Sequence, residues 1–489
     1  MDRQIKRLAV ALAVLFALLF AQLNWIQVFA ASRISNNPAN FRLIIQEYKV
    51  HRGEILARDL RTVLAKSVPS TGQLKYLRRY PDGPLYGHIT GYYSLIYGLS
   101  GLESSQNDWL GAHASQLTFS TLADEISNRP RQGASVVTTI DPHLQQVASQ
   151  ALNGRAGAVA ALDPRTGEVL ALVANPSYDP NPLSSHDPKQ ITAAWKQLNA
   201  DPSKPLLSNA TDQIYPPGST FKLIDTAAAL QNGYTPQSTF PNPQALRLPQ
   251  TTHLFHNFAD SHCPGGSSIT LAAALTVSCD VTFAQLGLKL GADTLAKQAA
   301  AFGFNQHIPF ELPFSEGRFP PAAFFSDQLP LLAYSAVGQA DVAANPLQMA
   351  LVAAAIANHG VEMQPQIVKE IRDPGGGVIQ TSGPKVFSHP MPASVAAQMT
   401  AMMVSVVQSG TGTAAQIPGV AVAGKTGTAE MPSGLPTVWF VSFAPATNPR
   451  IAVAVMLLNG GGAGPNATGG IVAAPVAKQV IQAALGSGG

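Results

Sequence analysis

The sequence predicts an α+β or α/β fold in which one sheet takes strands from the two ends of a domain and helices fill the interval. Three observations carry this. Residues 156–162 and 168–173 are almost wholly apolar and flank Asp163-Pro164-Arg165-Thr166-Gly167, whose turn chemistry makes a hairpin. Residues 438–443 and 450–457, near the other end, read as two further apolar strands. Between them lie helical signals. Residues 223–230 are apolar almost all round and stop at Gly233. Asn345-Pro346 offers an N-cap and a first-position proline, with Gly360 after the end of the run. A β-rich stretch at 134–140 leads through Asp141-Pro142 into a helix to about residue 152, and residues 477–485 predict a closing helix.

With 489 residues the chain is long enough for more than one domain, and 46% hydrophobic against 12% charged residues leaves material for a large core. The net charge of +3 selects no partner, and no basic run with interleaved aromatics is present, so nucleic-acid binding is set aside.

Residues Leu8 to Ser32 carry no charged side chain, long enough to cross ~30 Å of hydrocarbon. Arg3, Lys6 and Arg7 precede them, which predicts a cytoplasmic N-terminus and the bulk of the chain outside the membrane. The competing reading is a cleaved signal peptide ending near Val28-Phe29-Ala30, but the apolar stretch exceeds a usual signal core. Residues 33–85 then hold ten Lys/Arg against four Asp/Glu, a solvated basic face or one that favours anionic headgroups. Frequent glycines from Gly53 to Gly101 break this part into short strands and turns. Three regions are therefore expected: an anchor (1–32), a small β-rich module (33–135) and a large domain (136–489).

The chemistry centres on Ser219-Thr220-Phe221-Lys222, which follows Pro216-Pro217-Gly218. A serine hydroxyl needs a base to act as a nucleophile at neutral pH. Helical positions i and i+3 share a face, so Lys222 is expected to reach Ser219. Burial or a cationic neighbour must lower its pKa for that role. A nucleophile at a helix N-terminus also gains from free N–H groups where an oxyanion develops. Alone, such a tetrapeptide is most often a surface helix start. Two further elements follow it in order: Ser278-Cys279-Asp280, 59 residues on, and Lys425-Thr426-Gly427-Thr428 after an apolar stretch.

Cys263 and Cys279 are the two cysteines. An extracytoplasmic setting permits a disulfide, which would tether the loop around Asp260 to the second element; the alternative is two unpaired thiols. His253, His256, His262 and Cys263 fit no zinc spacing, so neither metal nor cofactor is expected.

Together these elements resemble the class B penicillin-binding proteins, which carry S-x-x-K, S-x-N and K-T-G in this order. Arg52-Gly53-Glu54-Ile55, residues 98–103, Thr138-Thr139-Ile140-Asp141, residues 176–180, Gly338-Gln339, Trp439-Phe440 and Ala473-Ala474-Pro475-Val476 are similar to further family landmarks. The likeness covers nearly the whole chain and is greatest to the short actinobacterial penicillin-binding protein A group. It implies an α+β penicillin-binding fold, a central antiparallel sheet flanked by helices, behind a dimerisation-like pedestal. It further implies a D,D-transpeptidase that cross-links peptidoglycan stem peptides and is acylated by β-lactams. Ser219 would be the nucleophile, Lys222 its base and Ser278 a proton relay. Backbone N–H groups of Ser219 and Thr428 would form the oxyanion hole, and Lys425, Thr426 and Thr428 would bind the substrate carboxylate. A charged Lys425 would also depress Lys222, and Gly427 would let the strand approach the substrate. Expected partners are a membrane-embedded lipid II polymerase and divisome or elongasome proteins. Asp280 departs from the family's Asn. If ionised, it would pair with Lys222, raise the pKa of the base and slow acylation. Two rivals remain: a serine β-lactamase, and a catalytically weak scaffold or sensor that keeps the pocket.

Overall fold

In the structure, a computed structural model, residues 2–26, 45–117 and 131–486 are described. The helix Asp2–Asn24 opens the chain. Its 22 residues Arg3–Asn24 are apolar enough to span a bilayer, and none of that window is buried against the rest of the protein. The expected apolar span runs on to Ser32, but its last residues, Val28-Phe29-Ala30 among them, lie outside the described residues.

The central sheet has five strands in the order Ala423–Ala429, Thr437–Ala444, Ile451–Leu457, Gly157–Leu162 and Val169–Asn175. Every pairing is antiparallel, which selects α+β over α/β. The two ends of the domain meet where Ala452 faces Leu162 and Leu457 faces Gly157. These strands read as continuous apolar runs because both faces are covered. Alternate residues such as Ala158, Ala160, Ala454 and Met456 join one core with the helix Pro346–Ala357. Val159, Ala161, Val453 and Val455 join another with the helices Pro142–Leu152 and Ala474–Gly486. Pro346–Ala357 is buried along its whole length, and Asn345 caps it by accepting from the Gln348 N–H at 2.8 Å. The closing helix begins at Ala474, three residues ahead of the expected start.

A second sheet has six strands, ordered Val378–Thr381, Val368–Arg372, Ser135–Thr138, Ile55–Leu56, Val63–Pro69 and Tyr76–Arg79. It draws on residues either side of position 135, so hydrogen bonding is continuous across the expected boundary. The preceding region is less purely β than its glycines suggest, since it includes the helices Gly83–Thr90 and Gly101–Ser105. Nor is its positive charge all solvated: Arg52 and Arg78 are buried, each 2.6 Å from the Glu103 carboxylate.

Candidate active site

Pro216 and Pro217 lead into a short 3-10 turn, Gly218–Thr220, directly ahead of the helix Lys222–Gln231. Gly218 has φ +53°, and a Cβ there would lie 2.5 Å from the Thr428 carbonyl oxygen. Only glycine suits both conditions. The turn is held by Gly218 N–H donating to Gly338 O at 2.9 Å and by Trp439 Nε1–H donating to Pro216 O at 2.9 Å. Gly427 serves the same contact: a Cβ on it would meet Pro217 O at 2.7 Å. Packing between the strand and the serine-bearing turn therefore requires a bare backbone at this position. Phe221 anchors the turn from beneath, stacked 5.5 Å from Phe319.

Lys222 is fully buried. Its ammonium donates to Asp280 Oδ1 at 2.6 Å, to Ser278 O at 2.8 Å and to Ser278 Oγ at 3.4 Å. Lys425, also buried, donates to Ser278 Oγ at 2.8 Å and to Thr426 O at 2.9 Å. Ser278 thus bridges the two amines. It holds φ 63°, a left-handed conformation rare outside glycine, at the end of the helix Leu271–Val277. Ser219 Oγ donates to Asp280 Oδ1 at 3.5 Å. No hydrogen bond joins Ser219 to Lys222 among the described residues, contrary to the i, i+3 expectation. Ser219 lies in the 3-10 turn, while Lys222 reaches across to Ser278 and Asp280.

Burial lowers the Lys222 pKa, and the Asp280 carboxylate, through its charge and its hydrogen bond, opposes that fall without cancelling it. The pair expected of an ionised Asp280 is made, yet desolvation outweighs its upward pull. Lys425 is pushed well below the usual lysine range, first by burial and then by the Lys222 charge. Repulsion between two ammonium groups is mutual, so the same proximity disfavours charge on Lys222 whenever Lys425 is protonated.

Two features hold Asp280 in place. Its Oδ2 accepts from the Phe258 N–H at 2.9 Å, and Asn257 Oδ1 accepts from the Val281 N–H at 3.0 Å. Cys279 is joined to Cys263 by a disulfide with Cα atoms 5.9 Å apart. The 251–261 segment is thereby fastened over the second element. Under it opens a cavity of about 1420 Å³ that Ser219, Ser278, Asp280, Thr426 and Thr428 all line. The Thr426 hydroxyl is engaged with Thr411 Oγ1 at 2.6 Å. His253 and His256 border the same cavity, and no metal-holding group of His, Cys, Asp or Glu occurs among the described residues.

The structure also presents groups that sequence reasoning passed over. Asp225, one turn below Lys222, is completely buried, and neither carboxylate oxygen has a hydrogen-bond partner. Burial raises its pKa well above the usual range. Its place at i+3 from Lys222 was the available signal. The Phe258 N–H had none, because every residue but proline carries one.

A nucleophile-bearing turn, a serine bridging two buried amines and an edge strand walling a deep cavity are the parts of a serine acyltransferase site. Residues 157–482 match the penicillin binding protein transpeptidase domain, and residues 52–136 match the penicillin binding protein A dimerisation domain. The chain belongs to the penicillin-binding protein transpeptidase family. It is 41% identical to the peptidoglycan D,D-transpeptidase PbpA of Mycolicibacterium smegmatis, over 100% of both chains. It is 38% identical to PbpA of Mycobacterium tuberculosis, over 99% of each. Among solved structures it is similar to the ceftriaxone acyl-enzyme complex of M. tuberculosis penicillin-binding protein A. That likeness has a TM-score of 0.85 at 38% identity and covers 90% of this chain and 100% of that one. The D,D-transpeptidase domain from Eggerthella lenta matches with a TM-score of 0.78 at 34% identity, covering 90% of this chain and 99% of that one.

Proposed function

We propose that the chain is a peptidoglycan D,D-transpeptidase working through an acyl-enzyme on Ser219. The observation that carries this is the single hydrogen-bonded cluster of Ser219, Asp280, Lys222, Ser278 and Lys425, of which Ser219, Ser278 and Asp280 line one cavity. Ser219 Oγ attacks the carbonyl carbon of the penultimate D-Ala, and its proton passes to Lys222. The peptide C–N bond breaks, and the departing D-Ala amine takes a proton through Ser278. An amine of a neighbouring stem then attacks the ester, gives up a proton to the same groups and restores the Ser219 hydroxyl. The N–H groups of Ser219 and Thr428 stabilise the oxyanion. Lys425, Thr426 and Thr428 hold the terminal carboxylate. A β-lactam follows the first half of this course, its leaving nitrogen tethered to the acyl group.

The N-terminal helix anchors the protein once in the membrane. Arg3, Lys6 and Arg7 support a cytoplasmic start, and the Cys263–Cys279 disulfide fits an oxidising exterior. Residues 33–135 serve as the pedestal and 136–489 as the transpeptidase domain. A membrane-embedded lipid II polymerase is the partner that family likeness suggests. The Lys222–Asp280 ion pair favours one second reading, a weak enzyme that acts as a β-lactam-binding scaffold.

The test uses the full-length chain in detergent with a D-Ala-D-Ala donor peptide and an amine-bearing stem peptide. The transpeptidase reading expects free D-Ala together with a cross-linked dimer, both lost in Ser219→Ala. Stable β-lactam binding without either product would select the scaffold.

A further inference from the structure

We infer that Glu430 forms a cation-recognising subsite at the mouth of the cavity that receives the ammonium group of the incoming acceptor. This rests on the transpeptidase reading and names where its second substrate docks. The strand Ala423–Ala429 is the edge of its sheet, so one side of it is free to wall the cavity. Thr426, Thr428 and Glu430 recur every second residue and line the cavity together, as strand alternation requires. Exposure rises along them, from buried Thr426 through half-buried Thr428 to exposed Glu430, which orders the three from floor to mouth. Thr428 sits beside the nucleophile, because its carbonyl packs on Gly218. Glu430 follows directly on the end of the strand, roughly 7 Å beyond Thr428 if the chain stays extended. That is beyond the bond being broken and on the path of whatever approaches the acyl-enzyme from solvent.

The charges lining this space single out the same residue. Asp280 is neutralised by Lys222, whereas Glu430 has no hydrogen bond or ion pair among the described residues. Tyr334 and Phe255 line the same cavity as Glu430, and their rings pack edge-on with centroids 5.0 Å apart. A cavity walled by a carboxylate and by aromatic rings suits an ammonium on a flexible aliphatic arm. An amine acceptor arrives from water largely protonated and must shed its proton before attacking. Glu430 holds it at the rim until it does.

The test compares full-length wild type with Glu430→Gln in detergent, using an acyl-D-alanyl thioester as donor and a lysine-containing dipeptide amide as acceptor. Hydroxylamine, uncharged at neutral pH, serves as the control nucleophile. The variant is expected to raise the apparent KM for the cationic acceptor about fivefold at low salt, with the gap closing as salt screens the pair. Hydroxylamine transfer and the rate of benzylpenicillin acylation stay within about twofold of wild type. An unchanged acceptor KM, or an equal loss with hydroxylamine, overturns the subsite. If wild type forms neither an amide with the dipeptide nor a hydroxamate with hydroxylamine, the transpeptidase reading falls and the subsite with it.

Discussion

Asp280 accepts from three donors, Lys222, Ser219 and the Phe258 N–H, and faces no acceptor among its hydrogen bonds. A carboxylate can serve all three with two oxygens, whereas an amide has one oxygen and would set its N–H₂ against a donor. The residue that departs from the family pattern is thus the one this pocket is built to accommodate. Its charge still has a kinetic consequence, because it raises the Lys222 pKa against the larger lowering by burial. Removing the charge lets that pKa fall further. For Asp280→Asn the acid limb of the pH profile for benzylpenicillin acylation should move down by about one unit, with faster acylation at neutral pH. A limb that stays in place, or moves up, would show that Lys222 does not set it. Ser219, Lys222, Ser278 and Lys425 could be picked out of the sequence because their chemistry demands particular side chains at fixed local spacing. The Phe258 N–H and the neutral state of Asp225 could not, since one is a generic backbone group and the other depends on a burial that only the fold creates.

At the scale of elements, the hairpin at 157–175 and the strands at 437–457 were legible because apolar runs and turn residues are local signals. The six-stranded sheet was not. It pairs Ile55 with Val136, and Val136 with Ile371, and strands as short as two residues carry no register of their own. The short strand Glu362–Met363 illustrates what long-range packing imposes. Glu362 is fully buried, its Oε2 accepts from Ser388 Oγ at 3.2 Å, and burial raises its pKa to about 8. A carboxyl with a raised pKa binds its proton more tightly in the folded state. Its stabilising contribution is complete below the unfolded value near 4.5 and drains away as pH climbs through about 8. Glu362→Gln should therefore lose less stability than wild type between those limits, the difference amounting to several kcal/mol at most. Urea unfolding of both proteins across this range measures it, and parallel curves would mean that Glu362 is ionised in the folded protein.

Across the whole molecule, the site exists because three distant stretches are carried to one place. The serine-bearing turn is wedged between Gly338 and the strand that carries Lys425. The disulfide and Asn257 fasten the segment over Ser278 and Asp280. The order of the three elements could be read from the chain, but their convergence depends on the closure of residues 157–162 onto 451–457, which brings both ends of the domain into one sheet. The most direct measurement of that convergence is intact-mass spectrometry of the full-length protein incubated with excess benzylpenicillin, followed by peptide mapping, with Ser219→Ala in parallel. One persistent adduct on the peptide containing Ser219, absent from the variant, is the result predicted here. An adduct on another residue, or one that forms and clears as the drug is consumed, would contradict it.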